Sequence, residues 1–187
     1  MTESHIIRDA FVLKEAAGAI ELVEGLLRPD QPCPVAVERL LERVVGRLET
    51  LGEPAKDAVF AHLLRGEALR ALGRLAESID WFRTVTRRDR SVVAAWVGLG
   101  WCQKRTGRLD LAIESLRDGL TANPEEPLLH YNLACYLSLS GDAAAAVEHL
   151  GRAIAREGRY RTMTAGERDF DPIRGDPRFV EATRVTS

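Results

Sequence analysis

The chain has 187 residues, 45% of them hydrophobic and 29% charged, with a formal net charge of −2. That length allows one domain with a real core or one short repeat array. The composition excludes a disordered chain, and the charge excludes a whole-molecule binder of polyanions.

The first predicted element is a helix over residues 4–28, with a broad apolar face of Ile6, Ile7, Phe11, Leu13, Ile20, Leu22, Val23, Leu26 and Leu27. Glu3, Arg8, Asp9, Lys14 and Glu15 interrupt its apolar residues. It therefore reads as neither a signal-peptide core nor a membrane span, and the expectation is a soluble, cytoplasmic protein. The phrase "RPDQPCP" breaks the chain. A second helix over 35–51 then places Val37, Leu40, Leu41, Val44, Val45 and Leu48 at helical spacing.

From residue 59 the chain repeats itself. Gly66, Gly100 and Ala134 recur at one constant interval. Gly73, Gly107 and Gly141 keep the same interval, as do Ser78, Ala112 and Ala146, then Phe82, Leu116 and Leu150. Each copy predicts two helices. The first runs for about 14 residues and ends at the glycine of "LGR", "TGR" or "SGD", which supplies a left-handed helix stop. The second carries apolar residues at helical spacing, as at Leu111, Ile113, Leu116 and Leu120. Gly66 and Gly100 fall inside first helices, where glycine costs ~1 kcal/mol relative to alanine. Close approach of paired helices is the expected reason. In the tail, Asp171-Pro172 should start a short turn and Asp176-Pro177 a last helix. Phe170, Ile173, Phe179 and Val180 should cover the open end of the third copy.

The middle copy has Trp96, Leu99 and Gly100, then Ala112 and Pro124, at the spacing of the tetratricopeptide repeat, and over about residues 59–158 the chain resembles that family. Gln103 stands where the family has tyrosine, and Leu116 where it has phenylalanine. The first copy places His62, Arg65, Gly66, Leu69, Ser78 and Phe82 in these columns. The third places His130, Leu133, Ala134, Leu137, Ala146 and Leu150 there. The resemblance implies an all-α fold, a right-handed α-solenoid or superhelix of helix-turn-helix repeats. Repeats would span 59–92, 93–126 and 127–160, between an N-terminal helical cap or degenerate repeat at 1–58 and a C-terminal capping segment at 161–187. A solenoid end must be covered. The phrase "FDPIRGDPRF" looks like the closing segment of many bacterial members.

Little in the sequence points to chemistry. There is no phosphate loop, GxSxG or HExxH, so no enzyme, catalytic residue, cofactor or metal is expected. Cys33, Cys102 and Cys135 form no CxxC pair and read as reduced thiols. His62 and His130 share a column with Trp96 and read as core residues. His5 and His149 complete the histidines. Two basic clusters, Arg83, Arg87, Arg88 and Arg90, and Arg152, Arg156, Arg159 and Arg161, lie toward the ends of second helices, where cations suit the helix dipole. An anionic-partner surface is the alternative.

The resemblance also implies that first helices line a concave groove. The groove positions would be Phe60, Leu63, Glu67 and Arg70, then Ala94, Val97, Trp101 and Lys104, then Leu128, Tyr131, Cys135 and Ser138. Residues three or four apart share a helix face. Trp101 is the leading interface anchor. Such a groove suits a protein partner, as a helix or an extended apolar peptide of unknown identity. Glu67 disfavours a clamp for acidic chain ends. The expected function is therefore a non-catalytic adaptor or scaffold. Alternatives are a small secretion-type chaperone and, in a different class, a nucleic-acid-associated protein. A membrane partner is not expected, and a homo-oligomer is allowed. Whether the helix over 4–28 covers the groove stays open at this point.

Overall fold

A computed structural model describes residues 2–27 and 33–184, so most of the expected break "RPDQPCP" lies outside the described residues. The helices are α1 (Glu3–Glu24), α2 (Val35–Glu49), α3 (Val59–Ala71), α4 (Leu75–Arg88), α5 (Val93–Arg105), α6 (Leu109–Ala122), α7 (Pro127–Leu139), α8 (Ala143–Arg156), α9 (Arg159–Met163) and α10 (Pro177–Thr183). Two 3-10 turns, Ala55–Asp57 and Arg168–Ile173, complete the described elements. The chain falls into two units, Met1–Gly98 and Leu99–Ser187.

The sequence period reappears in the helix starts. α3, α5 and α7 begin at 59, 93 and 127, and α4, α6 and α8 at 75, 109 and 143. Each pair turns on a glycine of positive φ: 76° at Gly73, 77° at Gly107 and 84° at Gly141. The residue after each glycine donates its N–H back into the finished helix. Arg74 reaches the Leu69 carbonyl at 2.9 Å, Arg108 that of Gln103 at 2.9 Å, and Asp142 that of Leu137 at 3.0 Å. This bond satisfies a carbonyl that the helix end would leave orphaned.

In the first unit, α1, α2 and α3 share a core. Val12, Ala16, Ile20 and Val23 meet Val37, Leu41, Val44 and Leu48, with Ala61, Leu64 and Ala68 from α3. The apolar face expected for the first helix needs correction, because Ile6, Ile7, Phe11, Leu22 and Leu26 are exposed. α1 is apolar on two sides, and the side with the smaller residues, Val12 and Ala16, packs inward. Asp9 is buried on that side. The Arg8 guanidinium, 2.8 Å away, holds its carboxyl below the usual range, and the Gly52 N–H at 3.2 Å adds to this.

Arg65 is buried as well. It donates to the Leu48 carbonyl at 2.7 Å and the Lys56 carbonyl at 2.9 Å, and lies 5.0 Å from the Trp81 ring centre. It thus serves one carbonyl at the end of α2 and one in the following 3-10 turn, while its guanidinium lies over an aromatic ring.

The close approach expected at mid-helix glycine occurs at Gly66. A Cβ there would lie 2.8 Å from the fully buried Phe82 ring. The tightest site is Gly98, outside the repeated columns, where a Cβ would stand 2.5 Å from the same ring. Gly100 is looser, with Leu116 at 3.3 Å. Ser78 adds a buried bond to the Gly66 carbonyl at 2.8 Å.

The second unit ends as a capped stack. Phe170, Ile173 and Phe179 are buried, as expected for a cover, whereas Val180 is 49% exposed. Asp176 accepts from the Arg178 N–H at 2.8 Å and Pro177 opens α10, so this N-cap forms as expected. The preceding turn starts earlier than expected. Glu167 caps it by accepting from the Asp169 N–H at 3.1 Å, and Asp171 instead binds Arg174 at 2.7 Å.

Candidate interaction surface

The residues expected to line a groove meet different surroundings in the two units. In the first unit, α1 and α2 pack toward Ala61, Leu64 and Ala68 of α3. The stripe Phe60, Leu63 and Glu67 lies on another face of that helix. Phe60 is 48% exposed, and Leu63 and Glu67 are half-buried. Glu67 is held by Arg70 at 2.6 Å. Val97, on α5, is half-buried, and Ala94 is exposed.

In the second unit, Trp101 is half-buried, with the Arg105 guanidinium 5.5 Å from its ring centre. Lys104 meets Asp169 at 2.5 Å and sits 5.0 Å from the Tyr136 ring centre. Leu128 is half-buried, but Tyr131 and Cys135 are 5% and 3% exposed. The Tyr131 ring lies 4.9 Å from Tyr160 and 5.7 Å from Phe170, the latter edge-on. The cover over this stripe is therefore the chain's own C-terminal segment. Burial raises the Tyr131 phenol. It raises the Cys135 thiol too, with Glu167 and Asp169 adding to the effect. A thiol so held stays protonated and is a poor nucleophile.

The histidine column is buried throughout, with His62 at 5%, Trp96 at 5% and His130 at 3% exposure. The His62 ring lies 5.0 Å from that of Trp81, tilted by 38°. A further feature has no signature in the sequence: His130 pairs with His149 of α8, Nδ1 to Nδ1 at 2.8 Å. His130 Nε2 faces the Pro124 carbonyl at 3.0 Å. A carbonyl can only accept, so Nε2 carries the proton and Nδ1 accepts from the Nδ1–H of His149. Burial first, then the His130 ring, lowers the His149 pKa to about 4.

The arginine clusters are largely matched by carboxylates. Arg83 faces Asp80 at 3.9 Å and Arg88 faces Asp57 at 2.8 Å. Arg152 meets Glu148 at 2.6 Å, Arg156 meets Glu125, and Arg159 meets Glu157 at 2.6 Å. Among the described residues no three His, Cys, Asp or Glu gather as a metal-binding group, and no helix is long and apolar enough to cross a membrane.

A model of the tetratricopeptide repeat family matches residues 33–91 and 82–127. No curated protein matches significantly. Among solved structures, a crystal structure of MamA aligns with a TM-score of 0.60 at 16% identity, covering 79% of this chain and 89% of that one. Another MamA crystal structure gives 0.59 at 13% identity over 90% and 92%. MamA AMB-1 gives 0.57 at 18% identity over 94% and 93%. At these identities the likeness concerns the fold, an all-α stack of solenoid type.

Proposed function

The chain belongs to the tetratricopeptide repeat family, and from that premise we propose that it is a non-catalytic scaffold holding a partner's apolar segment on the stripe of Phe60, Leu63 and Val97. One observation carries this reading: Phe60 stands 48% exposed on a helix whose other side is fixed in a core. A large apolar side chain on a rigid support loses little freedom when a partner covers it. Glu67 and Arg70, already paired, give the stripe a polar edge.

Tyr131 and Cys135 play no direct part in this reading, because the tail fills their stripe. A nucleic-acid role is disfavoured, since the matched arginines leave little unneutralised charge to release counterions from phosphates. The test is a pull-down with Phe60→Ala/Val97→Ala against wild type, read by mass spectrometry and followed by titration of the captured segment as a peptide. The pair should keep its melting temperature and lose the peptide at least tenfold, about 1.4 kcal/mol. Unchanged affinity would remove this stripe from the function.

A further inference from the structure

We infer that the outer face of α1 is a self-association surface, and that its occupant is α1 of a second copy running antiparallel. Opposite the buried Val12, Ala16, Ile20 and Val23, this helix carries Ile7, Phe11, Lys14, Glu15, Gly18 and Leu22. Ile7, Phe11 and Leu22 are 64%, 56% and 62% exposed. A helix apolar on both sides is normally buried on both.

The order of residues along this stripe is self-complementary. Two antiparallel copies centred between Lys14 and Glu15 place Ile7 level with Leu22, Phe11 level with Gly18, and Lys14 level with Glu15, each twice. Two-fold symmetry requires this reciprocity of an isologous contact. The sizes agree, because Gly18 has no side chain and a Cβ there would meet nothing within 4 Å, so the facing Phe11 ring can come close to the backbone. The charges agree too. Glu15, which is exposed, pairs with Arg47 of α2 and stands level with the facing Lys14. Lys14 has no carboxylate partner among the described residues. Arg47 also lies 5.9 Å from the Phe11 ring centre and steadies the aromatic at the seam. Three large apolar side chains left more than half exposed per copy, together with the Lys14 and Glu15 stems, suit a small interface at the weak end of specific contacts. Net charge on the helix disfavours an anionic membrane as occupant, since Glu3, Asp9, Glu15, Glu21 and Glu24 outnumber Arg8 and Lys14.

Sedimentation equilibrium on the whole chain tests the pairing. Wild type should be dimeric at concentrations up to about 100 µM, where a micromolar contact is saturated. Gly18→Leu puts bulk where Phe11 of the second copy would lie, and its Cβ meets no atom of the chain itself, so it should retain or raise the melting temperature and yet be monomeric. Lys14→Glu should weaken the dimer at least tenfold. In a Cys33→Ser background, chains carrying Phe11→Cys and chains carrying Gly18→Cys should cross-link to each other in preference to themselves. A wild-type monomer at the highest concentration, a dimer indifferent to both Gly18→Leu and Lys14→Glu, or preferred self-cross-linking of the Phe11→Cys chain would each overturn the assignment.

Discussion

Phe60, Leu63 and Glu67 in the first unit occupy the same repeat positions as Leu128, Tyr131 and Cys135 in the second, and their fates differ. The stripe on α3 stays open, while the one on α7 lies under Tyr160 and Phe170. Position in the repeat sets the direction a side chain points. What packs beside that helix then decides whether it reaches solvent. The composition of the two stripes fits this. Glu67 brings a charge that a dry contact would have to neutralise, whereas Cys135 is small and enters an apolar interface without such a cost.

The contrast breaks most directly at Phe170. This fully buried ring contacts Tyr131 on one side and Phe179 at 5.3 Å on the other. Phe170→Ala should cost about 3–5 kcal/mol in denaturant melts, against at most about 0.5 kcal/mol for Phe60→Ala. Equal costs would mean that the two stripes are alike. Gly98→Ala comes next. Its Cβ would drive into Phe82, so a loss of about 1–3 kcal/mol is expected, and Phe82→Leu in the same chain should recover part of it. Gly100→Ala meets Leu116 at 3.3 Å and should cost far less.

Smaller again is Lys104→Met. It removes the half-buried pair with Asp169 and should lower stability by about 1 kcal/mol, an effect that shrinks as salt rises. A last effect grows only as the pH falls, and in the second unit it centres on His149. The folded chain lowers the pKa of His149, so below the ordinary value of about 6.5 the unfolded chain binds a proton that the folded chain refuses. Stability should be full above that value, fall as the pH drops, and level off near pH 4. Melting curves of His149→Phe across the same range should be less steep, with His62 and His130, also lowered by burial, supplying what slope is left.

Much of the fold was legible because glycine and proline act locally. A positive φ at Gly73, Gly107 and Gly141 stops a helix whatever surrounds it, and Asp176-Pro177 starts one in the same way. Facts that depend on distant partners were not legible. The repeat columns pointed to Gly66 and Gly100, yet the tightest approach falls at Gly98, because Phe82 of α4 reaches into α5. The periodicity of α1 fitted two faces and could not say that Asp9 would be buried and Phe11 exposed. The candidate surface was legible as a set of directions. The burial of Tyr131 was not, because it comes from Phe170, which lies three elements further along the chain.

The tail keeps step with what precedes it. α10 begins at Pro177, one period after α8 begins at Ala143, and Gly175 and Asp176 likewise stand one period after Gly141 and Asp142. The terminator is thus written in the same metre as the units it terminates. A duplicated cassette of one period, spliced in frame between Arg156 and Glu157, would hand the tail the same kind of helix pair it already rests on. Adding or removing one whole period ahead of the tail would therefore leave it the same kind of neighbour, whereas any other insertion would break that step.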